Sequence, residues 1–194
     1  MIDFLENLCY NASRKIQKGA QHMSKTCCFT GHRLRKVPWL SDPNHPLSTA
    51  LHNIVRERIL QKIDLGYDYF ISGMALGSDM LCAQIVLELR QSYPNIKLEC
   101  ALPCEEQTKF WSDIQRQEYQ EILAKSDYVS VLSRRYSPAC LHIRNKYMVQ
   151  KSDCLIAIWN GSSGGTQNTI LLAGKHNIPV DIINPDDCVN AMAD

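Results

Sequence analysis

Three things are missing from this sequence of 194 residues. It has no apolar run approaching the roughly 18 residues that a membrane span requires. It has no excess of charge: 21 Lys and Arg stand against 20 Asp and Glu, a formal net charge of +1. That balance removes the global basic field that drives bulk binding to nucleic acid or anionic membrane. Its N-terminus carries Asp3 and Glu6 where a signal peptide would be basic, and no apolar core follows. Membrane, secreted, fibrous and disordered classes are thereby excluded. What is present, 45% hydrophobic residues, is ample for one continuous globular core.

Cysteine chemistry is sparse in a different way. The nine cysteines, at 9, 27, 28, 82, 100, 104, 140, 154 and 188, are odd in number and scattered. That pattern reads as reduced thiols in a cytoplasmic protein, used as small buried hydrophobes. Cys27 and Cys28 adjoin on an expected strand and should face opposite ways. Only Cys100 and Cys104 approach metal-ligand spacing, and no second pair completes a zinc site, so no metal is expected.

Residues 1–22 read as an amphipathic helical extension, with Phe4, Leu5, Leu8, Ala12 and Ile16 at helical spacing and Gly19 as a stop. The main domain is expected over residues 23–194, and a start at Met23 would still yield all of it. From Lys25 onward, short apolar runs alternate with amphipathic stretches of period near 3.6. The runs Thr26–Thr30, Tyr67–Ser72, Ile96–Leu102, Tyr128–Leu132, Cys154–Trp159 and Pro179–Ile183 read as strands. Leu47–Leu65, Asp79–Tyr93, Glu105–Lys125, Pro138–Lys151 and Gly165–His176 read as helices. Apolar strands without alternation are buried on both faces. The expected fold is therefore α/β: a Rossmann-like, doubly wound, mainly parallel sheet with helices on both faces. Arg33–Pro46, with three prolines and Trp39, reads as a loop over the sheet edge and a candidate lid.

In such a sheet, ligands bind beyond the carboxyl ends of the strands, and glycines, small hydroxyls and cations gather there. Gly161-Ser-Ser-Gly-Gly-Thr166 joins a strand to a helix; the preceding Asn160 and its own Gly164, Gly165 and Thr166 suit a phosphate or carboxylate at the helix N-terminus. Gly73-x-x-x-Gly77-x-Asp79 repeats the design one crossover earlier, with Asp79 either capping a helix or meeting a ribose hydroxyl. Gly31, His32 and Arg33 end the first strand, where the guanidinium of Arg33 would hold a phosphate in bidentate fashion. Arg144 is a further anion-binding candidate. Arg134-Arg135-Tyr136 is similar to an anion clamp, and Trp111, beside Gln107 at a helix start, reads as core or as a base-stacking ring. Neither glycine segment is a Walker A loop or a complete G-x-G-x-x-G, which weakens NTPase and dinucleotide dehydrogenase readings.

Thr30-Gly31-His32-Arg33, the run from Ile71 through Gly73 and Gly77 to Asp79, Arg144-Asn145-x-Tyr147-Met148-Val149 and Gly164-Gly-Thr166 together resemble the YpsA-like branch of the SLOG superfamily. That superfamily groups Smf/DprA DNA-processing proteins with LOG-type phosphoribohydrolases. The resemblance spans about residues 25–185 and implies a Rossmann-like fold holding a nucleotide or nucleotide-derived ligand, in a sensing or regulatory role. SLOG relatives are often dimers, which makes a homo-oligomer the expectation. The resemblance implies no reaction. LOG enzymes carry two acidic residues in their Pro-Gly-Gly-x-Gly-Thr-x-Glu-Glu segment, and Asn168 and Thr169 stand at those positions here. Nucleoside-monophosphate N-glycosidase activity is thus the alternative and not the first reading. DprA-like single-stranded DNA binding is a further alternative, opposed by the neutral charge balance, as is a protein-interaction module built on residues 1–22.

Overall fold

A computed structural model describes residues 24–190; the helix expected over 1–22 lies outside the described residues. Six strands form one sheet: β1 (Lys25–Gly31), β2 (Tyr67–Ser72), β3 (Lys97–Leu102), β4 (Tyr128–Val131), β5 (Cys154–Ile158) and β6 (Val180–Ile183). Their order is β4-β3-β2-β1-β5-β6, and every neighbouring pair is parallel. Helices α1 (Pro46–Asp64), α2 (Ser78–Leu89), α3 (Asp113–Lys125), α4 (Cys140–Gln150) and α5 (Gly165–Lys175) make the crossovers, and a short α6 (Asp186–Asn190) follows β6. The doubly wound Rossmann-like α/β fold expected from the sequence is the fold observed. No described helix is long and apolar enough to cross a membrane.

Burial explains why the strand sequences do not alternate. All five residues of β5 are buried, and Cys27 and Cys28 of β1 do point opposite ways. Cys27 joins Phe29, Phe70 and Leu98 in the larger core layer. Cys28 joins Ile71, Ala101 and Leu155 in the smaller one. Helix α1 contributes Leu51, Val55 and Ile59 to the larger layer, a stripe at i, i+4, i+8. Helix α2 is enclosed almost all round, with nine of its 12 residues buried. The eight cysteines of the described residues are all buried and free. Burial pushes the Cys28 and Cys100 thiols up to about 12, so they pack as apolar groups at neutral pH.

Two helix ends and one loop depart most from the sequence reading. Helix α3 begins at Asp113, not Glu105, because Ser112 and Gln115 form a reciprocal capping box: Ser112 Oγ accepts the Gln115 N–H and Gln115 Oε1 accepts the Ser112 N–H. Helix α2 ends at Leu89, where the N–H groups of Gln91 and Ser92 tighten onto the carbonyls three residues back. The Arg33–Pro46 segment leaves an interior strand, so it crosses the carboxyl end of the sheet and not its edge. It contains a 3-10 turn, Pro38–Ser41. Trp39 and Leu40 pack on the core, and the Trp39 carbonyl accepts from Ser48 Oγ at 2.8 Å.

Candidate functional site

The chain reverses its direction of winding between β1 and β5, which are hydrogen-bonded neighbours. That is the switch point of a doubly wound sheet, where the loops leaving two strands diverge and open a crevice. A cleft of about 540 Å³ opens there. One wall is the end of β1, Gly31 to Arg33, continuing to Arg35 and Lys36; the facing wall is Ser162 to Thr166. Helix α4 supplies Arg144 and Asn145, and α2 supplies Asp79. Four cationic side chains line the cleft, Arg33, Arg35, Lys36 and Arg144, against a single carboxylate, that of Asp79.

The single carboxylate is already engaged. Asp79 Oδ2 lies 3.0 Å from Arg144 Nη1, with both side chains 6% exposed, and it also accepts the Ala75 N–H at 3.3 Å. Burial pushes the Asp79 carboxyl above the usual carboxylate range, against the opposing pull of the Arg144 guanidinium. Of the two roles read for Asp79, helix cap or ribose contact, capping is not adopted: Gly77 is the residue before α2, with no side-chain cap bond, and Asp79 holds its own loop and Arg144. Gly73 makes this possible. A Cβ there would fall 1.4 Å from Arg144 Nη1, so the guanidinium passes over bare backbone. Gly77, at φ 104°, lies against the His32 carbonyl and bridges to Arg33. Gly73 and Gly77 shape the site from beneath without lining the cleft.

His32 links the elements on both sides. Its carbonyl accepts Ser78 Oγ at 2.9 Å and the Ser78 N–H at 3.2 Å. Its Nε2 lies 2.7 Å from Asn160 Oδ1 and 3.2 Å from the Asn160 N–H, donating or accepting according to tautomer. Desolvation lowers the His32 pKa, which favours the neutral ring at pH 7. Asn160 also accepts from Ser162 Oγ at 2.7 Å and donates to Asp186 Oδ2 at 3.1 Å. It braces the loop and does not line the cleft. Gly31 packs tightly on α2, where a Cβ would be 2.4 Å from Ser78 Cβ.

The Gly164–Thr166 segment is arranged differently. A Cβ on Gly164 or Gly165 would meet no atom within 4 Å, so the backbone faces the open cleft where α5 begins. Thr166 is buried at its side. Lys36 Nζ reaches over to this loop, donating to Ser162 Oγ and, at 3.0 Å, to the Ser163 carbonyl. Thr169 Oγ1 donates to the Gly165 carbonyl at 2.9 Å and accepts from Asn145 Nδ2 at 2.7 Å, which fixes α4 against the start of α5. Asn168 is exposed and outside the cleft lining.

Of the residues picked out from the sequence, Gly31, His32, Arg33, Asp79, Arg144, Gly164, Gly165 and Thr166 converge on this cleft. Arg134 and Arg135 do not reach it. Arg35 and Lys36 were missed, although the run His32-Arg-Leu-Arg-Lys36 directly after a strand end was the signal that could have found them. Among the described residues, no group of three or more His, Cys, Asp and Glu is placed to hold a metal ion.

The comparisons agree with this architecture. The model of the YspA SLOG family matches residues 27–188. A UPF0398 protein of Halalkalibacterium halodurans is 31% identical over 170 residues, covering 84% of this chain and 89% of that protein. DNA processing protein A from Helicobacter pylori, whose structure describes a single-stranded DNA binding mode, superposes with a TM-score of 0.55 at 18% identity. That match covers 82% of this chain and 65% of the other. DNA processing protein A from Streptococcus pneumoniae gives a TM-score of 0.57 at 13% identity, over 89% of this chain and 57% of the other. These two share the fold. With the family model covering most of the chain and the relative aligned along most of its length, the chain belongs to the YspA SLOG family.

Proposed function

We propose that the cleft binds a nucleotide or nucleotide-derived ligand through its phosphate, in a sensing or regulatory role. The observation that carries this is the convergence of Arg33, Arg35, Lys36 and Arg144 on an open backbone segment, Gly164–Gly165, with one carboxylate nearby and that one already paired. The ligand phosphate meets the N–H groups at the start of α5 and the Thr166 hydroxyl, and Arg33 clamps it from the facing wall. Arg144, held by Asp79 over Gly73, adds a fixed positive charge. His32, Asn160 and Gly77 keep the two walls in register.

Binding is favoured over N-glycosidic hydrolysis. Cleavage requires a carboxylate free to stabilise an oxocarbenium-like centre or to activate water. Asp79 is committed to Arg144 and to the Ala75 N–H, and Asn168 and Thr169 occupy the positions where the LOG pattern has acids. The local charge within a neutral chain also suits a small anion better than a polymer.

The test is thermal shift and calorimetric titration with AMP, ADP-ribose, NAD and cyclic nucleotides. At a hundredfold excess over Kd, a ligand of the native state adds about 2.7 kcal/mol of stability. The expected ligand loses affinity in Arg33→Ala and Gly165→Asp. Failure of every phosphate-bearing compound to bind overturns the reading. Tighter binding of a single-stranded oligonucleotide than of any mononucleotide replaces it with strand binding.

A further inference from the structure

A second cavity, of about 720 Å³, adjoins the cleft. Arg33, Ala75, Leu141 and Arg144 line both, so the two abut along these shared residues. Each falls in the range of about 300–1,000 Å³ usual for small-molecule pockets. The two differ in chemistry. Where the cleft is lined by cations and bare backbone, the second cavity adds the rings of Phe110, Trp111 and Tyr136 to the charged Arg33, Glu106, Lys109 and Arg144. Phe110 is 92% exposed and Tyr136 63% exposed, whereas Trp111 is anchored edge-on to Tyr119, with ring centroids 5.3 Å apart.

Two buried side-chain atoms among the described residues have no hydrogen-bond partner: Gln107 Oε1, an acceptor, and Arg144 Nε, a donor. Both residues line this second cavity. Turning the Gln107 amide round would not relieve its oxygen, because Nε2 donates to the Met74 carbonyl and the reversed amide would set oxygen against oxygen. Arg144 is 5% exposed and its Nη1 is held on Asp79, so Nε cannot swing out to water. Buried polar atoms are normally paired, and leaving them open is costly. An unmet acceptor and an unmet donor, on two residues that line a cavity also holding aromatic rings, suit a planar guest with an N–H and a lone pair on its edge.

We infer that the second cavity is the base subsite of the ligand whose phosphate occupies the cleft. A nucleobase lies against Trp111 and Tyr136; an N–H on its edge donates to Gln107 Oε1, and a ring nitrogen or carbonyl accepts from Arg144 Nε. An acyl chain would leave both polar atoms unmet, and a bare sugar phosphate would not reach past the shared residues. Arg144 then serves the ligand twice, as a charge beside the phosphate and as a donor to the base. The inference rests on the nucleotide reading of the cleft, and the probes separate the two.

Calorimetry with the four common nucleoside 5′-monophosphates and with ribose 5-phosphate tests it. At least one monophosphate should bind about tenfold more tightly than ribose 5-phosphate, the gain that stacking and edge recognition supply. Gln107→Leu should remove most of that gain and leave ribose 5-phosphate unaffected. Tyr136→Ala, at an exposed position that the fold does not depend on, should reduce the gain severalfold in the same selective way; it decides the matter should Gln107→Leu fail to fold. Equal affinity for ribose 5-phosphate and all four monophosphates overturns the base subsite and leaves the phosphate cleft standing. So do variants that weaken both kinds of ligand alike. Failure of all five, and of ADP-ribose, NAD and the cyclic nucleotides as well, overturns both.

Discussion

Two glycine-bearing turns meet at the carboxyl end of the sheet, and they use glycine for opposite purposes. After β2, the space above Gly73 is filled by the protein itself: a Cβ there would lie 1.4 Å from Arg144 Nη1 and 2.8 Å from Asp79 Oδ2. After β5, a Cβ on Gly164 or Gly165 would have nothing within 4 Å. One turn gives up a side chain so that an internal ion pair can form. The other, with Gly164 at φ 143°, leaves its backbone bordering an open cleft. Similar spacing in the sequence thus conceals a support and a receiving surface, and substitutions should separate them by their effects on stability and on binding.

The largest effect is expected in the support. Asp79→Ala leaves the Arg144 guanidinium buried without its partner, a loss that typically costs about 3–5 kcal/mol. Urea unfolding reads it as a fall in the midpoint. Replacing both groups, as Asp79→Leu with Arg144→Met, should recover most of the stability, because the uncompensated charge is then gone. A loss below about 1 kcal/mol in Asp79→Ala would mean the pair is not what holds the first turn.

Gly73→Ala comes next, at about 1–3 kcal/mol. The clashing atom is the end of a flexible side chain, but that end is locked on Asp79, so the new methyl group acts by breaking the ion pair. In an Arg144→Met background the same substitution should cost markedly less. That coupling, measured as a double-mutant cycle, distinguishes a broken pair from a strained backbone. Additive effects would show that Gly73 is needed for some other reason.

The fold was legible in the sequence because parallel strands buried on both faces leave continuous apolar runs, and Cys27 and Cys28 pointing into separate core layers is a direct consequence. Most of the cleft was legible too, since strand ends in a doubly wound sheet must converge. The pairing within it was not. Asp79 and Arg144 lie 65 positions apart, and periodicity records which face of a helix is buried without recording its partner. Asn160, read as a ligand contact, stands outside the cleft lining and braces His32 and Ser162, a placement decided by side-chain geometry. Gln107 was read at a helix start; the capping box at Ser112 moves that start and leaves Gln107 in a turn, facing the second cavity.

A smaller, pH-gated effect is expected where the two turns are joined. His32 holds Ser78 through its carbonyl and Asn160 through its ring, and burial keeps its pKa below the ordinary 6.5. The unfolded chain therefore takes up a proton that the native state resists. Stability should hold above pH 6.5 and decline as the pH falls from there through the lower native value. Urea titrations at about pH 7.5 and about pH 5.5 should show this slope in the parent protein and a shallower one in His32→Gln. An unchanged slope would detach His32 from the linkage.

The smallest effect on stability, and the one that best separates the two turns, belongs to Gly165. Its φ lies outside the left-handed region and a Cβ there would meet no neighbour. Alanine should fit the first position of α5 and stabilise the fold by up to about 1 kcal/mol, through lower entropy of the unfolded chain. If the start of α5 receives the phosphate as proposed, the same methyl group would stand in its way, so phosphate-ligand affinity should fall about tenfold while the melting temperature holds or rises. Gly73→Ala has the reverse order of consequences, destabilising first and weakening binding only through the displaced Arg144. If Gly165→Ala unfolds the protein as readily as Gly73→Ala, or leaves affinity untouched, the second turn is a support like the first and the cleft has lost its receiving surface.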